Sequence, residues 1–577
     1  MQKLRCLAIA ALTAALSFQP AMGTALEIAV QHSCNDQPLV LDALRYHNGA
    51  DDTLSVTRLS YLLSGFALER EDGIWIELPG QYAWMDAAKR RTVTRLEHVP
   101  AGNYRAMRFT VGLETATNAA EPAQFAADHP LNANLNGLHW SWQGGYIFLA
   151  VEGLYRTSAG ELTGYAFHLA RDPNATRISL TAPLDLTHDA AAILNFDLGV
   201  LFNAPRGLSF AKDGATTHSR EGDSIAAALV ANLPGAFHVA QVLSARPTIN
   251  QPSAAKPLYL PRHFTPYHFT MSGAFPVPDL PRDNPLIEER VALGKALFND
   301  PTLSRDDTLS CASCHQAASA FSDPHRFSIG VDQQQGTRHA MPLFNLAWKN
   351  SFFWDGRAPS LRAQALIPIQ DPTEMGEKLD HVVTKLAAKG NYAPLFAAAF
   401  DSPEITSEKL GLAIEQYLLT LTSYDAKFDR ALRGAATLTA DEKRGFELFM
   451  TEHDPRTGQR GADCFHCHGG PLFTDHQFHN NGLSLSEKDT GRMRVTGLEA
   501  DRGKFATPSL RNVARTAPYM HDGRFTTLEE VVAHYSTGIH RSATLDPNLA
   551  KHPQNGLNLS ADEQRAMVAF LKALSSE

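Results

Sequence analysis

The chain runs to 577 residues, 44% of them hydrophobic and 20% charged, with 52 Lys and Arg against 61 Asp and Glu. That length fits about three to four domains at ~150 residues each. An acidic balance without basic runs argues against nucleic acid as a partner, and past the N-terminal segment no stretch is long and apolar enough to span a bilayer.

Residues 1–23 read as a secretory signal peptide. Lys3 and Arg5 form its basic start, Leu7 to Leu16 its apolar stretch, and Ala21-Met22-Gly23 its cleavage site. Cys6 precedes the apolar stretch, unlike a lipoprotein acceptor. The expectation is a soluble, exported, periplasmic chain, whose net charge of −9 becomes −11 once Lys3 and Arg5 leave. Of the five cysteines then left, four fall in two pairs and Cys34 stands alone, so no internal disulfide framework is expected.

Residues 24–245 read as short strands. Leu26-Glu-Ile-Ala-Val30, Leu54-Ser-Val-Thr-Arg-Leu59, Tyr104-Arg-Ala-Met-Arg-Phe109 and Arg177-Ile-Ser-Leu180 alternate apolar and polar residues. Asn48-Gly49, Asp72-Gly73 and Pro100-Ala-Gly102 punctuate them as turns. This pattern predicts an antiparallel β-sandwich. Prolines from Pro247 to Pro281 crowd residues 246–283, which read as an extended linker. From about Asn284 the period turns helical, with Leu286, Leu293 and Leu297 on one face.

Within this helical half, Cys311-Ala-Ser-Cys314-His315 recurs as Cys464-Phe-His-Cys467-His468, starting 153 residues later. C-x-x-C-H is the attachment signature of c-type haem: the thiols form thioethers to the haem vinyl groups and the histidine ligates iron. A similar helix leads into each copy, Gly294-Lys-Ala-Leu-Phe298 and Gly445-Phe-Glu-Leu-Phe449. A thioredoxin-like pair or a zinc site would not need the trailing histidine twice. Two tandem, mainly α, cytochrome c-like domains are therefore predicted, over 284–432 and 433–577, each with one covalent haem. Leu410 to Asp429 is expected to close the first as a helix and Thr439 to open the second. Export fits, because c-type haem is attached on the outer side of the inner membrane.

Over 284–577 the chain resembles the bacterial di-haem cytochrome c peroxidase and MauG family. The resemblance rests on Phe353-Trp-Asp-Gly-Arg357, Gln364, Pro368, Glu374-Met375, Thr507-Pro-Ser-Leu-Arg-Asn512 and Pro518-Tyr-Met-His-Asp-Gly523. It implies that peroxide binds at the haem on His315, that Glu374 moves the proton as the O–O bond breaks with Gln364 close by, and that Trp354 relays electrons between the haems. In the peroxidase branch a methionine is the second ligand of the other haem, fourteen residues after the histidine of Pro-Tyr-x-His. Here that position is Tyr535, as in the MauG branch, with Met493 and Met520 as alternatives. A phenolate favours oxidised iron and a thioether reduced iron, so the haem on His468 is expected to store oxidising equivalents. The family often binds calcium between the haems through an asparagine. The aligned residue here is His339, a poor ligand for a hard cation, with Asn345 as a substitute, so calcium stays open.

Residues of about 30–240 resemble the MbnP-like copper-binding proteins through Ser60-Tyr-Leu-Leu-Ser-Gly65, Leu138-His-Trp-Ser-Trp-Gln-Gly-Gly-Tyr146 and Tyr165-Ala-Phe-His168. In that family a di-haem partner of MauG type, MbnH, oxidises a tryptophan to kynurenine, which then helps histidines bind copper. Both partners here share one polypeptide. Imidazole suits copper, and His32, His139 and His168 are the expected ligands, with Cys34 either a soft ligand or a buried thiol. His218, in a polar stretch, is expected on an exposed loop. Trp140 and Trp142 are the expected targets, sharing a face opposite His139 if 139–142 is a strand.

Together these readings point to a periplasmic di-haem enzyme that uses hydrogen peroxide to oxidise tryptophan in its own or a neighbouring β domain. One alternative is a peroxidase drawing electrons from a small periplasmic electron-transfer protein. Another is a copper-binding or electron-transfer haem protein without peroxide chemistry.

Overall fold

The computed structural model describes residues 23–140, 144–157, 159–243, 260–453, 458–484, 488–552 and 556–576. The expected signal peptide up to Met22, the target Trp142 and linker residues 246–259 lie outside them.

The first half is built from β1 (Thr24–Cys34), β2 (Arg58–Arg70), β3 (Val93–Val99), β4 (Asn103–Val111), β5 (Ile147–Arg156), β6 (Leu162–Ala170), β7 (Thr176–Asp185), β8 (Ala190–Asp197) and β9 (Phe237–Leu243). One sheet runs β9-β8-β1 with β3 on the far edge of β1, and the other runs β7-β4-β2-β5-β6. Leu26, Ile28, Leu59, Tyr61, Phe109 and Phe167 meet in one core between them. The sandwich departs from the antiparallel expectation where β1 pairs in parallel with β8, from Leu26↔Ala190 to Ser33↔Asp197. A parallel pair needs a long crossover, and here the whole second sheet supplies it. Cys34 lies fully buried in this core, and burial pushes its thiol up to about 12. It is a core thiol.

The second half is helical: α1 (Glu288–Phe298), α2 (Leu361–Gln370), α3 (Ser407–Leu419), α4 (Ala440–Met450), α5 (Leu528–Thr537), α6 (Pro547–Ala550) and α7 (Ala561–Ala573). Thr439 caps α4 by accepting from the Glu442 N–H, while the Glu442 carboxylate accepts from the Thr439 N–H at 2.7 Å, a reciprocal capping box. The helix expected over 410–429 is broken. α3 stops at Leu419, and a separate Lys427–Leu432 turn places Phe428 in the second helical core. There Asp429 binds Arg511 through two bonds of 2.8 and 2.9 Å.

The two helical units share a crossing. α1 packs on α3 at Gly294, where a Cβ would come within 2.0 Å of the Ala413 carbonyl, and α4 packs on α7 at Gly445, within 2.0 Å of the Ala566 carbonyl. Only a glycine permits either approach. The end of the predicted linker is not a free tether: Phe275 is buried against Trp348, whose indole N–H donates to the Pro276 carbonyl at 2.7 Å. The halves dock through α6 on β6. Thr163 donates to the Ala550 carbonyl at 2.9 Å, and Leu154, Ile539, Leu545 and Ala550 form a small shared core. Among the described residues no helix is long and apolar enough to cross a membrane.

Candidate haem cavities and the interface between the halves

The first C-x-x-C-H motif forms one helical turn, Cys311–Cys314, capped by Ser310. His315 Nδ1 lies 3.0 Å from the Phe321 carbonyl, and His468 Nδ1 lies 3.1 Å from the Phe473 carbonyl. A carbonyl only accepts, so Nδ1 carries the proton in both rings and each Nε2 keeps its lone pair for a metal. Both motifs therefore present two thiols and one oriented imidazole, the donor set that covalent haem requires.

His315 opens into a cavity of about 180 Å³ whose walls include Phe298, Leu346, Phe352 and Leu418. Gln364 and Pro368 reach it from one face of α2, and Glu374 enters just past that helix. Burial, with Asp371 adding like charge, raises the Glu374 carboxyl to about 7. Trp354 lines the same cavity and is clamped at both ends: its indole N–H donates to the His339 carbonyl at 2.8 Å, and its own carbonyl accepts from the Ala506 N–H of the second unit at 2.8 Å. The sequence-predicted set Glu374, Gln364 and Trp354 thus shares one space with His315.

The second unit is arranged differently. Tyr535, on α5, is raised to about 12 by burial, and the thiols of Cys467 and Cys464 act on it electrostatically. Asn481 Nδ2 donates to its hydroxyl at 3.2 Å and also to Met520 Sδ at 3.5 Å, so Tyr535 and Met520 lie on one wall. Met493 opens a separate one-turn helix, Met493–Thr496. Neither calcium candidate presents a free group. His339 Nε2 donates to the Asp323 carbonyl at 2.8 Å, and the Asn345 amide is held on both sides by the Ser423 backbone.

In the β half the expected ligands do not converge. His32 Nε2 bonds the Tyr61 hydroxyl at 2.9 Å, and His139 packs edge-on to Tyr146 with ring centroids 4.6 Å apart. Burial lowers both imidazoles to about 4. His32, on β1, and His139 line separate cavities, and His139 forms an isolated bridge to Tyr146 rather than part of a strand. Trp140 packs against His168 and His218 and lines one cavity with His139 and His168, so the opposite faces expected of a strand do not apply here. His168, on β6, does meet a cluster, but its neighbours are two residues with other expected roles. His218 is 8% exposed rather than on an open loop, because its polar segment is covered by the helical half. The third is His466, inside the second haem motif, where its ring stands 5.0 Å from His218 and 5.3 Å from His168. Phe465 packs on His218 at 5.6 Å, and Trp140 stacks on the same ring at 5.6 Å and 28°. His466 was legible only as spacing between cysteines; nothing local marks it as a partner of β6.

A sequence model of the di-haem cytochrome c peroxidase family matches residues 288–437, and the MbnP model matches residues 23–219. The MauG methylamine utilization protein of Methylorubrum extorquens is 42% identical over 300 residues, covering 52% of this chain and 81% of that protein. The cytochrome c551 peroxidase of Nitrosomonas europaea is 33% identical over 312 residues, covering 53% and 86%. The chain belongs to the di-haem cytochrome c peroxidase and MauG family. It is an oxidoreductase of that di-haem type with an MbnP domain in front. Among solved structures, a MauG-like protein associated with microbial copper homeostasis aligns with 34% identity and a TM-score of 0.49 over 54% of this chain and 96% of its own. MbnP from Methylosinus trichosporium aligns with 14% identity and a TM-score of 0.27 over 36% and 86%.

Proposed function

We propose that this chain is an exported di-haem enzyme that uses hydrogen peroxide to oxidise Trp140 of its own MbnP domain to kynurenine. The observation that carries this reading is the stack Trp140–His218–Phe465, which sets a buried indole against the attachment motif of the second haem. The haems, when attached, supply the redox chemistry; the chain's residues position and time it. Glu374 takes a proton from the entering peroxide and returns it to the departing oxygen, a task suited to a carboxyl raised to about 7. Gln364 orients the peroxide. Trp354, clamped between the two units, offers an oxidisable ring on the way to the second haem. Tyr535 supplies the hard oxygen ligand there. In the overall reaction one indole and two peroxides give N-formylkynurenine and two waters; hydrolysis then releases formate and leaves kynurenine. Copper binding by the MbnP domain belongs to the same reading.

The test treats the haem-loaded chain with peroxide and weighs peptides spanning 130–156. The expected product has gained two oxygens and then lost one carbon and one oxygen, and the change disappears in Trp140→Phe. Unmodified tryptophans alongside rapid oxidation of a small reduced cytochrome would sink the proposal and favour a conventional peroxidase.

A further inference from the structure

We infer, resting on the function proposed above, that the small cavity beside Trp140 is a water site, and that His476 of the second haem unit takes the proton as one of those waters adds to the oxidised indole. A buried target needs a source of oxygen and a sink for the proton within reach, because a ring only 8% exposed has little access to bulk solvent.

The cavity holds about 70 Å³ and is walled from three directions: by His139, Trp140 and His168 of the MbnP domain, by Pro276 at the end of the linker, and by Phe465 and His476 of the second haem unit. A space of that size takes more than one water, provided polar atoms hold it. Two wall atoms are buried without a partner among the described residues, Asn134 Oδ1 and His476 Nε2. Asn134 Nδ2 donates to the Trp348 carbonyl at 3.1 Å, so the unpaired atom of that amide is the accepting oxygen. Leaving either atom unmet would cost stability, and bridging water satisfies both.

His476 is the imidazole left over for chemistry. His168 is bonded through both ring nitrogens, to His218 at 3.1 Å and to Glu152 at 2.9 Å, and His466 Nε2 is bonded to Glu452 at 3.0 Å. His139 is set edge-on against Tyr146. His476 has a left-handed φ of 57°, and its backbone N–H donates to Thr474 Oγ1 at 3.1 Å. A residue other than glycine keeps that conformation only where its surroundings fix it. Burial, with the Lys349 charge adding to it, lowers the ring to about 3, so it stands neutral. So weak a base is enough here. Water joined to a cationic ring carbon is an oxonium, a far stronger acid than imidazolium, and it gives up its proton downhill.

The step balances. The indole gives two electrons to the oxidising equivalents that one peroxide creates, and its N–H proton to the cavity water. The oxygen of a water then bonds to C3 of the ring, and one proton of that water passes to His476 Nε2. Two electrons and two protons leave the target, the number that reduces one peroxide to two waters. The ring gains one oxygen per peroxide.

The test treats the haem-loaded full chain with one equivalent of unlabelled peroxide in 18O-enriched water and weighs the peptide spanning 130–156. The first oxygen gained should carry the solvent label. His476→Gln can hold a water but cannot take its proton, and should slow that gain by about 10²–10⁴-fold. Freeze-quenched electron paramagnetic resonance of this variant should show an indole radical that forms at the parent rate and persists. Mere loss of packing would slow its formation instead, which would overturn the role given to His476. Asn134→Leu, which removes the other water-holding atom, should slow the gain about tenfold, roughly the worth of one hydrogen bond. An oxygen that comes from peroxide overturns the inference even if His476→Gln fails to fold, and so does parent-like oxygen gain in haem-loaded His476→Gln. A parent chain that gains no oxygen on Trp140 overturns the proposed function, and this inference with it.

Discussion

The two haem units are a repeat that diverged around a constant frame. Each has a glycine crossing, at Gly294 or Gly445, and each fixes its histidine through Nδ1 on a carbonyl, that of Phe321 or Phe473. What differs is the other side of the expected iron. The first unit leaves a cavity with a titratable carboxyl, Glu374, and an amide, Gln364. The second offers a phenol, Tyr535, and turns the back of its attachment motif to the MbnP domain through Phe465 and His466. One frame thus serves one unit with an enclosed cavity and one whose attachment motif faces the MbnP domain; on the proposed function these are the sides for a small oxidant and for a protein target. The frame fixes where iron sits, and a few side chains decide what the iron is for.

The sharpest way to break the comparison is to remove the acid from the first unit. Glu374→Gln should lower peroxide-dependent turnover by about 10²–10⁴-fold, the usual worth of a positioned general acid–base group, while haem content stays constant. In the parent chain the ionised form accepts the proton. With the carboxyl raised to about 7, the rate should rise with pH through that value, and Glu374→Gln should flatten the rise. A pH-independent parent would show that Glu374 does not titrate in the reaction.

Next in size is the second unit's ligand. Tyr535→Met replaces hard oxygen by thioether and should raise that haem's potential on the order of 100 mV, well inside the roughly 0.8 V that axial ligands command. The first haem should be unmoved. An unchanged second potential in a redox titration would exclude tyrosine ligation and turn attention to Met520, which shares Asn481 with it.

The frame predicts symmetry where the pockets predict difference. Gly294→Ala and Gly445→Ala each drive a Cβ to within 2.0 Å of a backbone carbonyl, and each should cost about 1–3 kcal/mol as overpacking. Similar losses in thermal denaturation would support equivalent crossings. A loss confined to one would show that only that unit relies on close contact.

Much of this was legible in the sequence, for identifiable reasons. The haem motifs announce themselves because bond formation needs two thiols and a histidine at fixed spacing. Thr439 announces a helix because its cap is local. The strands that make the interface were not picked out by alternation. β5 is buried at every position from Ile147 to Tyr155, because one face meets the sandwich core and the other meets a second cluster of the β half at Phe148 and Ala150 and the helical half at Glu152 and Leu154, so it reads as a nearly continuous apolar run. The same covering explains His218, whose polar neighbours suggested solvent until the second half closed over them. His466 could not be found locally: its partners are contributed by β6 and the segment before Asp223, and only docking unites them. Local chemistry was readable; the histidine cluster across the interface was not, because no single stretch of chain contains it.

The smallest expected effect addresses that docking. Gly164 on β6 meets α6 so closely that a Cβ would fall 1.8 Å from the Pro547 carbonyl. Because α6 is a single turn it can yield, so Gly164→Ala should weaken docking by only about 1 kcal/mol, the low end of overpacking. That is roughly a fivefold change in the docked population, at a contact that includes none of the residues lining the His315 cavity. Peroxide reduction with an artificial donor should therefore keep its parent rate, while conversion of Trp140 should slow by a similar factor. If both rates fell together, Gly164 would matter for the stability of the haem units. If neither changed, the contact of β6 with α6 would not govern how the MbnP domain presents its tryptophan, and the functional difference between the two haem units would have to rest on their ligands alone.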